Sequence, residues 1–179
     1  MQFTPYSGGR NRNIADLFRN TFTDSEGVEE GNLIHDLARA LLETTPPDDL
    51  RVYIAEEAGF LCGCVVFTRL RFDDDPRRAF ILSPMAVATV HQRKGVGQSL
   101  LQNALEDLRK EGVDVIVTYG DPKYYRQVGF HPVTVETVPA PLPLSMPGGW
   151  IAQSLTDAPL TRLNGPSVCV PALNRPDVW

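Results

Sequence analysis

The sequence is short of the features that mark several large protein classes. It has three cysteines, Cys62, Cys64 and Cys169, an odd number with no second Cys pair and no nearby histidine to complete a zinc set. That disfavours a disulfide framework and a structural metal, and predicts buried thiols in a reducing compartment. No run approaches the ~18 apolar residues of a membrane span, and Met1 to Tyr6 has no basic segment followed by an apolar one. Both absences predict a cytoplasmic protein with no membrane partner. Positive charge is also scarce: 17 Lys and Arg against 22 Asp and Glu leave a net charge of -5, which argues against a nucleic-acid partner held by a broad basic surface. The densest acidic run, Asp73-Asp74-Asp75, lacks the loop length, glycine and distal glutamate of a calcium site and reads as an exposed turn.

What is present fits one domain with a substantial core: 179 residues, 42% of them hydrophobic and 22% charged. Gln2 to Tyr6 reads as an edge strand, with Pro5 keeping it from the sheet interior. Apolar spacing then predicts a helix over Asn11 to Phe22, a turn at Thr23 to Gly27, and a second helix through Leu33, Leu37 and Leu41 that stops at Pro46-Pro47. Arg51 to Glu57 and Phe60 to Leu70 read as strands joined by a hairpin turn at Ala58-Gly59. After Phe130 the chain becomes loop-rich, with strands expected at Val133 to Val138, Gly149 to Leu155 and Ser167 to Val170.

The organising stretch is Phe80 to Gly112. An apolar strand ending Ser83-Pro84-Met85-Ala86-Val87-Ala88 leads through a short turn to Gln92-Arg93-Lys94-Gly95-Val96-Gly97. From there Val96, Leu100, Leu101, Ala104, Leu105 and Leu108 recur at helical spacing. Asp114 to Thr118 follows as another strand, so the unit predicts two parallel strands with a right-handed helical crossover. Pro84 cannot donate to a ladder, so it marks either a place where pairing fails or the start of the strand. No Ser, Thr, Asp or Asn stands just ahead of Gly95 to cap the free N–H groups of the helix. With Arg93 and Lys94 beside two glycines, that start suits a phosphate or pyrophosphate, or else a solvated basic turn. A P-loop is disfavoured because Lys94 precedes the glycines and Gln98 follows them. A dinucleotide fingerprint is disfavoured because Leu100 stands where its third glycine belongs.

Gln92-x-x-Gly95-x-Gly97 resembles the signature of the GNAT superfamily of acyl-CoA-dependent N-acetyltransferases. Ser83-Pro84-Met85-Ala86-Val87 is similar to that family's fourth strand, and Tyr125-x-x-x-Gly129-Phe130 to its Tyr-x-x-x-Gly-Phe element. The likeness is densest from Leu82 to His131; Glu29 to Leu42 and the end of the chain are also similar to one bacterial branch of the superfamily. It implies an α/β single domain over residues 1–179, with 139–179 as a loop-rich extension. The sheet would be mixed and mostly antiparallel, with one splayed parallel strand pair, flanked by helices.

The resemblance also implies the chemistry. Acetyl-CoA would be the co-substrate, with no metal, and the pantetheine arm would meet main-chain groups of Met85, Ala86 and Val87. The Val87 N–H would polarise the thioester carbonyl. Gln92, Arg93, Lys94, Gly95, Val96 and Gly97 form the expected pyrophosphate site, and Tyr125 would meet the coenzyme sulfur. A phenol of reference pKa about 10 is protonated at neutral pH and can pass a proton to a thiolate of reference pKa about 8.5; a buried tyrosine that only packs is the alternative. The expected acceptor is a primary amine of a small molecule, attacked without a covalent enzyme intermediate, by a monomer or homodimer. No base stands out, Glu56 being a guess. Rival readings are a non-catalytic acyl-CoA-sensing domain, an enzyme acting on protein N-termini or lysines, and assembly through the tail Pro176-Asp177-Val178-Trp179.

Overall fold

The computed structural model describes all 179 residues. In chain order the elements are β1 (Gln2–Pro5), α1 (Asn11–Glu26), α2 (Val28–Thr44), β2 (Leu50–Glu57), β3 (Phe60–Phe72), β4 (Ala79–Val87), α3 (Val96–Lys110), β5 (Val115–Tyr119), α4 (Pro122–Tyr125), β6 (His131–Pro132), β7 (Trp150–Ser154) and β8 (Ser167–Val168). The sheet runs β1-β2-β3-β4-β5-β7-β6, with β8 added to β3. It is mixed: β4 and β5 are parallel, while β1 with β2, β5 with β7, and β6 with β7 are antiparallel. The chain forms two compact units, one of Met1–Phe67 with Pro84–Ala104 and one of Thr68–Ser83 with Leu105–Trp179.

In the first unit β1 pairs with β2 from Gln2↔Glu56 to Pro5↔Tyr53, as an edge strand. Ile14 and Phe18 of α1 and Leu37 and Leu41 of α2 are all buried. The two helices approach so closely at Gly31 that a Cβ there would lie 2.0 Å from Thr23 Oγ1 and 2.7 Å from Arg19 O. The expected turn at Thr23 to Gly27 shrinks to Gly27 alone, at φ 101°, because α1 continues through Glu26. Thr, Asp and Ser are weak helix formers in isolation. Here Gly27 N–H closes the last turn onto Thr23 O, and Ser25 Oγ donates to Thr21 O, while packing on α2 outweighs propensity. The hairpin turn does lie at Ala58 and Gly59, with φ of 50° and 83°, the positive pair that a two-residue turn requires.

In the second unit the parallel ladder runs from Ala79↔Val115 to Leu82↔Thr118 and ends there, although β4 goes on to Val87 and β5 to Tyr119. Pro84 therefore sits inside a continuous strand, two residues past the end of its parallel pairing. Val133 to Val138 is not a strand: the β6–β7 register ends at Pro132, one last bond runs from Val133 N–H to Trp150 O, and Thr137 and Val138 both donate their N–H to Thr134 O in a turn. Nor is the Asp73-Asp74-Asp75 turn wholly exposed, since the Asp75 side chain is only 2% exposed and bonds the Arg77 guanidinium. Trp179 at the end of the tail is buried, stacked on Tyr119 at 6.5 Å and donating to Leu173 O. That ring is committed to its own chain.

Candidate active site

The β4–α3 turn is built as the spacing predicts. Val96, Leu100, Leu101, Ala104, Leu105 and Leu108 are all buried, and α3 ends at Gly112, φ 80°, with Val113 N–H reaching back to Leu108 O. At its start the first-turn N–H groups have no acceptor within the helix. Arg93 and Gly95 take φ of 58° and 78°; such a left-handed arginine is uncommon, and strained backbone of this kind gathers at binding turns. Alternating handedness of this sort makes successive N–H groups converge on one point. Gln92, Arg93, Lys94 and Gly95 are exposed, whereas Val96 and Gly97 are buried. A Cβ on Gly95 would meet nothing within 4 Å, so the space above that turn is open.

The same turn is tied to the end of β4. Gln92 Nε2 donates to Val87 O at 2.9 Å, and Lys94 Nζ donates to Val90 O at 2.9 Å. Ala88 donates its N–H to Cys62 O on β3 at 2.8 Å. Main-chain groups alternate sides along a strand, so Val87 N–H points away from β3, as does Met85, while Ala86 turns toward it. Gly63 permits this approach: its Cβ would lie 3.3 Å from Ala86 O and 3.4 Å from Leu100 Cδ2.

Tyr125 belongs to the second unit and is half-buried. Asp121 caps α4 by accepting Lys123 N–H, and Pro122 fills the first helical position. The Tyr125 ring lies edge-on to Phe130 at 5.5 Å and to Tyr124 at 5.1 Å. Beneath it, a Cβ on Gly120 would come within 2.8 Å of Tyr125 Cε2, so only glycine leaves room for the ring. Nearby on β5, Thr118 Oγ1 donates to Leu82 O at 2.9 Å. Burial and then the neighbouring Tyr124 push the phenol well above the usual tyrosine range, only partly offset by Thr118. Tyr125 is therefore fully protonated at neutral pH.

The structure thus brings Met85, Ala86, Val87 and Gln92 through Gly97 together in one unit, and sets Tyr125 with Thr118 and Gly120 in the other. Sequence reasoning missed those last two. The available signals were a lone hydroxyl in the apolar run Val115-Ile116-Val117-Thr118 and a glycine just ahead of the Asp121 cap. Glu56, the guessed base, is ion-paired with Arg10. His91 Nε2 lies 3.5 Å from Glu57 and 3.6 Å from Cys62 Sγ. The three thiols are buried and free.

Residues 48–132 match the acetyltransferase (GNAT) domain family. The chain is 33% identical over 131 residues to the uncharacterized N-acetyltransferase YjhQ of Escherichia coli strain K12, a match covering 70% of this chain and 72% of that one. It is 27% identical to the uncharacterized N-acetyltransferase YhbS of the same strain, over 64% of each chain. Among solved structures, E. coli YhbS in complex with CoA superposes with a TM-score of 0.80 at 23% identity, over 97% of this chain and 92% of that one. A GNAT acetyltransferase of Brucella melitensis in complex with acetyl-CoA gives 0.74 at 19% identity, over 96% of each. The order of strands, the parallel ladder that stops short of its strands' ends and the match to YjhQ agree: the chain belongs to the GNAT family of N-acetyltransferases.

Proposed function

We propose that the protein transfers an acetyl group from acetyl-CoA to the primary amine of a small molecule by direct attack. The observation that carries this reading is the end of β4, where Ala88 N–H bonds Cys62 O on β3 and Gln92 holds the Val87 carbonyl, so that by alternation the Val87 N–H faces away from β3. A donor fixed in this way is organised before any charge develops, which is what oxyanion stabilisation requires. The neighbouring turn fits a diphosphate: open first-turn amides, left-handed Arg93 and Gly95, and two cationic side chains. Acetyl-CoA supplies the activated acyl group and a thiolate leaving group.

In this reading Arg93, Lys94 and the amides of Gly95, Val96 and Gly97 hold the pyrophosphate, and the main chain of Met85 to Val87 receives the pantetheine arm. Val87 N–H donates to the carbonyl oxygen as it gains charge, and Tyr125 gives its proton to the departing sulfur. An amine arriving as ammonium loses its proton to water, since Glu56 is engaged by Arg10. Residues 1–179 act as one catalytic domain.

The test is thiol release from acetyl-CoA across a panel of small amines and free-N-terminus peptides, run beside calorimetric binding of acetyl-CoA. Turnover with small amines supports the reading. Tight binding without turnover on any acceptor replaces it with a sensing domain, and turnover confined to peptides replaces it with a protein N-acetyltransferase.

A further inference from the structure

The first unit holds a cleft of about 560 Å³ to which the transfer step has assigned no occupant. Asn13, Asp16, Asn20 and Asp24 recur at helical spacing on α1 and line it. The tip of the β2–β3 hairpin and the turn after β4 line it too, and there Phe60 and Val90 stand 75% and 73% exposed. Ala88 and Thr89, also in its lining, follow directly on Val87. Thr21 is only 8% exposed and lines the same cleft, yet its Oγ1 has no hydrogen-bond partner. A buried hydroxyl left unpaired is costly, and such a group calls for a partner from outside the chain.

Charge says what that partner is. The last turn of α1 carries Asp24 and Glu26 and no basic residue, so carboxylates add to the negative end of the helix dipole. Asp16 lies within 4.0 Å of Arg12, Arg19 and His35, whereas Asp24 Oδ2 accepts only from the neutral Thr89 Oγ1, at 2.6 Å. We propose that this cleft selects the acceptor, a linear amine with a second, distal ammonium group. Asp24 holds the distal ammonium, Phe60 and Val90 cover the methylene chain, Thr21 accepts an N–H, and the reacting nitrogen is directed toward Val87. That nitrogen loses its proton to water and forms the C–N bond as the thioester C–S bond breaks, while the distal ammonium keeps its charge. The inference rests on the reading of Val87 as the acyl site and names the class of amine it serves.

The test sets diaminobutane against butylamine, by initial rates of thiol release from acetyl-CoA and by calorimetric titration into the complex with CoA. Diaminobutane should bind that complex and show a kcat/KM about fivefold above butylamine, a ratio that falls as salt rises. Asp24→Asn still accepts from Thr89 but carries no charge, and should bring the ratio to about one; Asp24→Glu should keep it. Thr21→Val loses only an unpaired hydroxyl, so its Tm should hold or rise while diaminobutane affinity falls about threefold. A ratio near one in the wild type, or one that Asp24→Asn leaves unchanged, overturns the proposal and leaves the acetyl transfer standing. Diaminobutane bound through Asp24 but not acetylated, while butylamine is, overturns the cleft as the acceptor site. No turnover of any amine removes the acetyl transfer and this acceptor role with it.

Discussion

The turn that leads into β4 and the turn that leaves it both carry clustered charge, and the chain disposes of that charge in different ways. Before β4, Asp75 accepts from the Arg77 guanidinium at 2.7 and 2.8 Å, from Arg77 N–H at 3.1 Å and from Asn164 N–H at 3.0 Å. Arg77 in turn donates to Thr161 O and Arg162 O. Asp75 and Arg77 are thus matched within the protein. After β4, Arg93 and Lys94 stand exposed beside first-turn amides that the helix itself cannot satisfy. A turn that completes its own hydrogen bonds is a clamp, whereas one that leaves donors converging on open space is arranged for an anion from outside.

The contrast breaks most sharply on the clamp. Asp75→Asn removes the charge that Arg77 faces and should destabilise the fold by about 3–5 kcal/mol, with little change in affinity for acetyl-CoA. Denaturant unfolding beside calorimetry measures both, and an intact fold with weakened coenzyme binding would reverse the assignment. Gly95→Val is expected to do the opposite. A Cβ there meets nothing within 4 Å, so the added side chain enters open space where the proposed phosphate would sit, and coenzyme affinity should fall about tenfold or more, against about 1 kcal/mol of stability for the left-handed φ. Equal affinity in the folded variant would show that no phosphate approaches there.

The pH dependence sharpens the same distinction. Asp75 is held well below the usual carboxylate range, first by its hydrogen bonds to the Arg77 guanidinium, then by the Asn164 and Arg77 amides, with burial opposing. A depressed folded pKa adds stability that is fully present above the unfolded value of about 3.9 and is lost as pH falls toward the folded one. Tm should therefore decline below about pH 4, and Asp75→Asn should show a shallower acid decline; an identical slope in the variant would refute the linkage. The smallest effect belongs to Lys94→Ala, an exposed cation whose loss should weaken coenzyme binding about threefold and more at low salt than at high. Binding titrations at two ionic strengths check it, and a salt-independent effect would mean that Lys94 acts only through its bond to Val90 O.

Local chemistry made much of this legible in advance. The apolar spacing of α3, the positive-φ pair at Ala58 and Gly59, and the cap at Asp121 with Pro122 behind it all lie where the residue types require. What misled was local chemistry overruled by packing. Thr23 to Glu26 reads as a turn by propensity, yet it continues α1 against Gly31 of α2. Val133 to Val138 has the β-branched look of a strand, but Thr134 O collects two N–H groups into a turn.

By itself the sequence determined that a helix begins uncapped behind Arg93 and Lys94 and that Tyr125 stands four residues before Gly129, because capping and periodicity are properties of neighbouring residues. Only the tertiary structure decided which N–H of β4 faces away from β3, that Thr118 bonds Leu82 from 36 residues away, and that Asp75 is clamped by Asn164 from 89 residues away. Those partners are chosen by strand register and close packing between distant segments, and no window of local sequence contains both members of the pair.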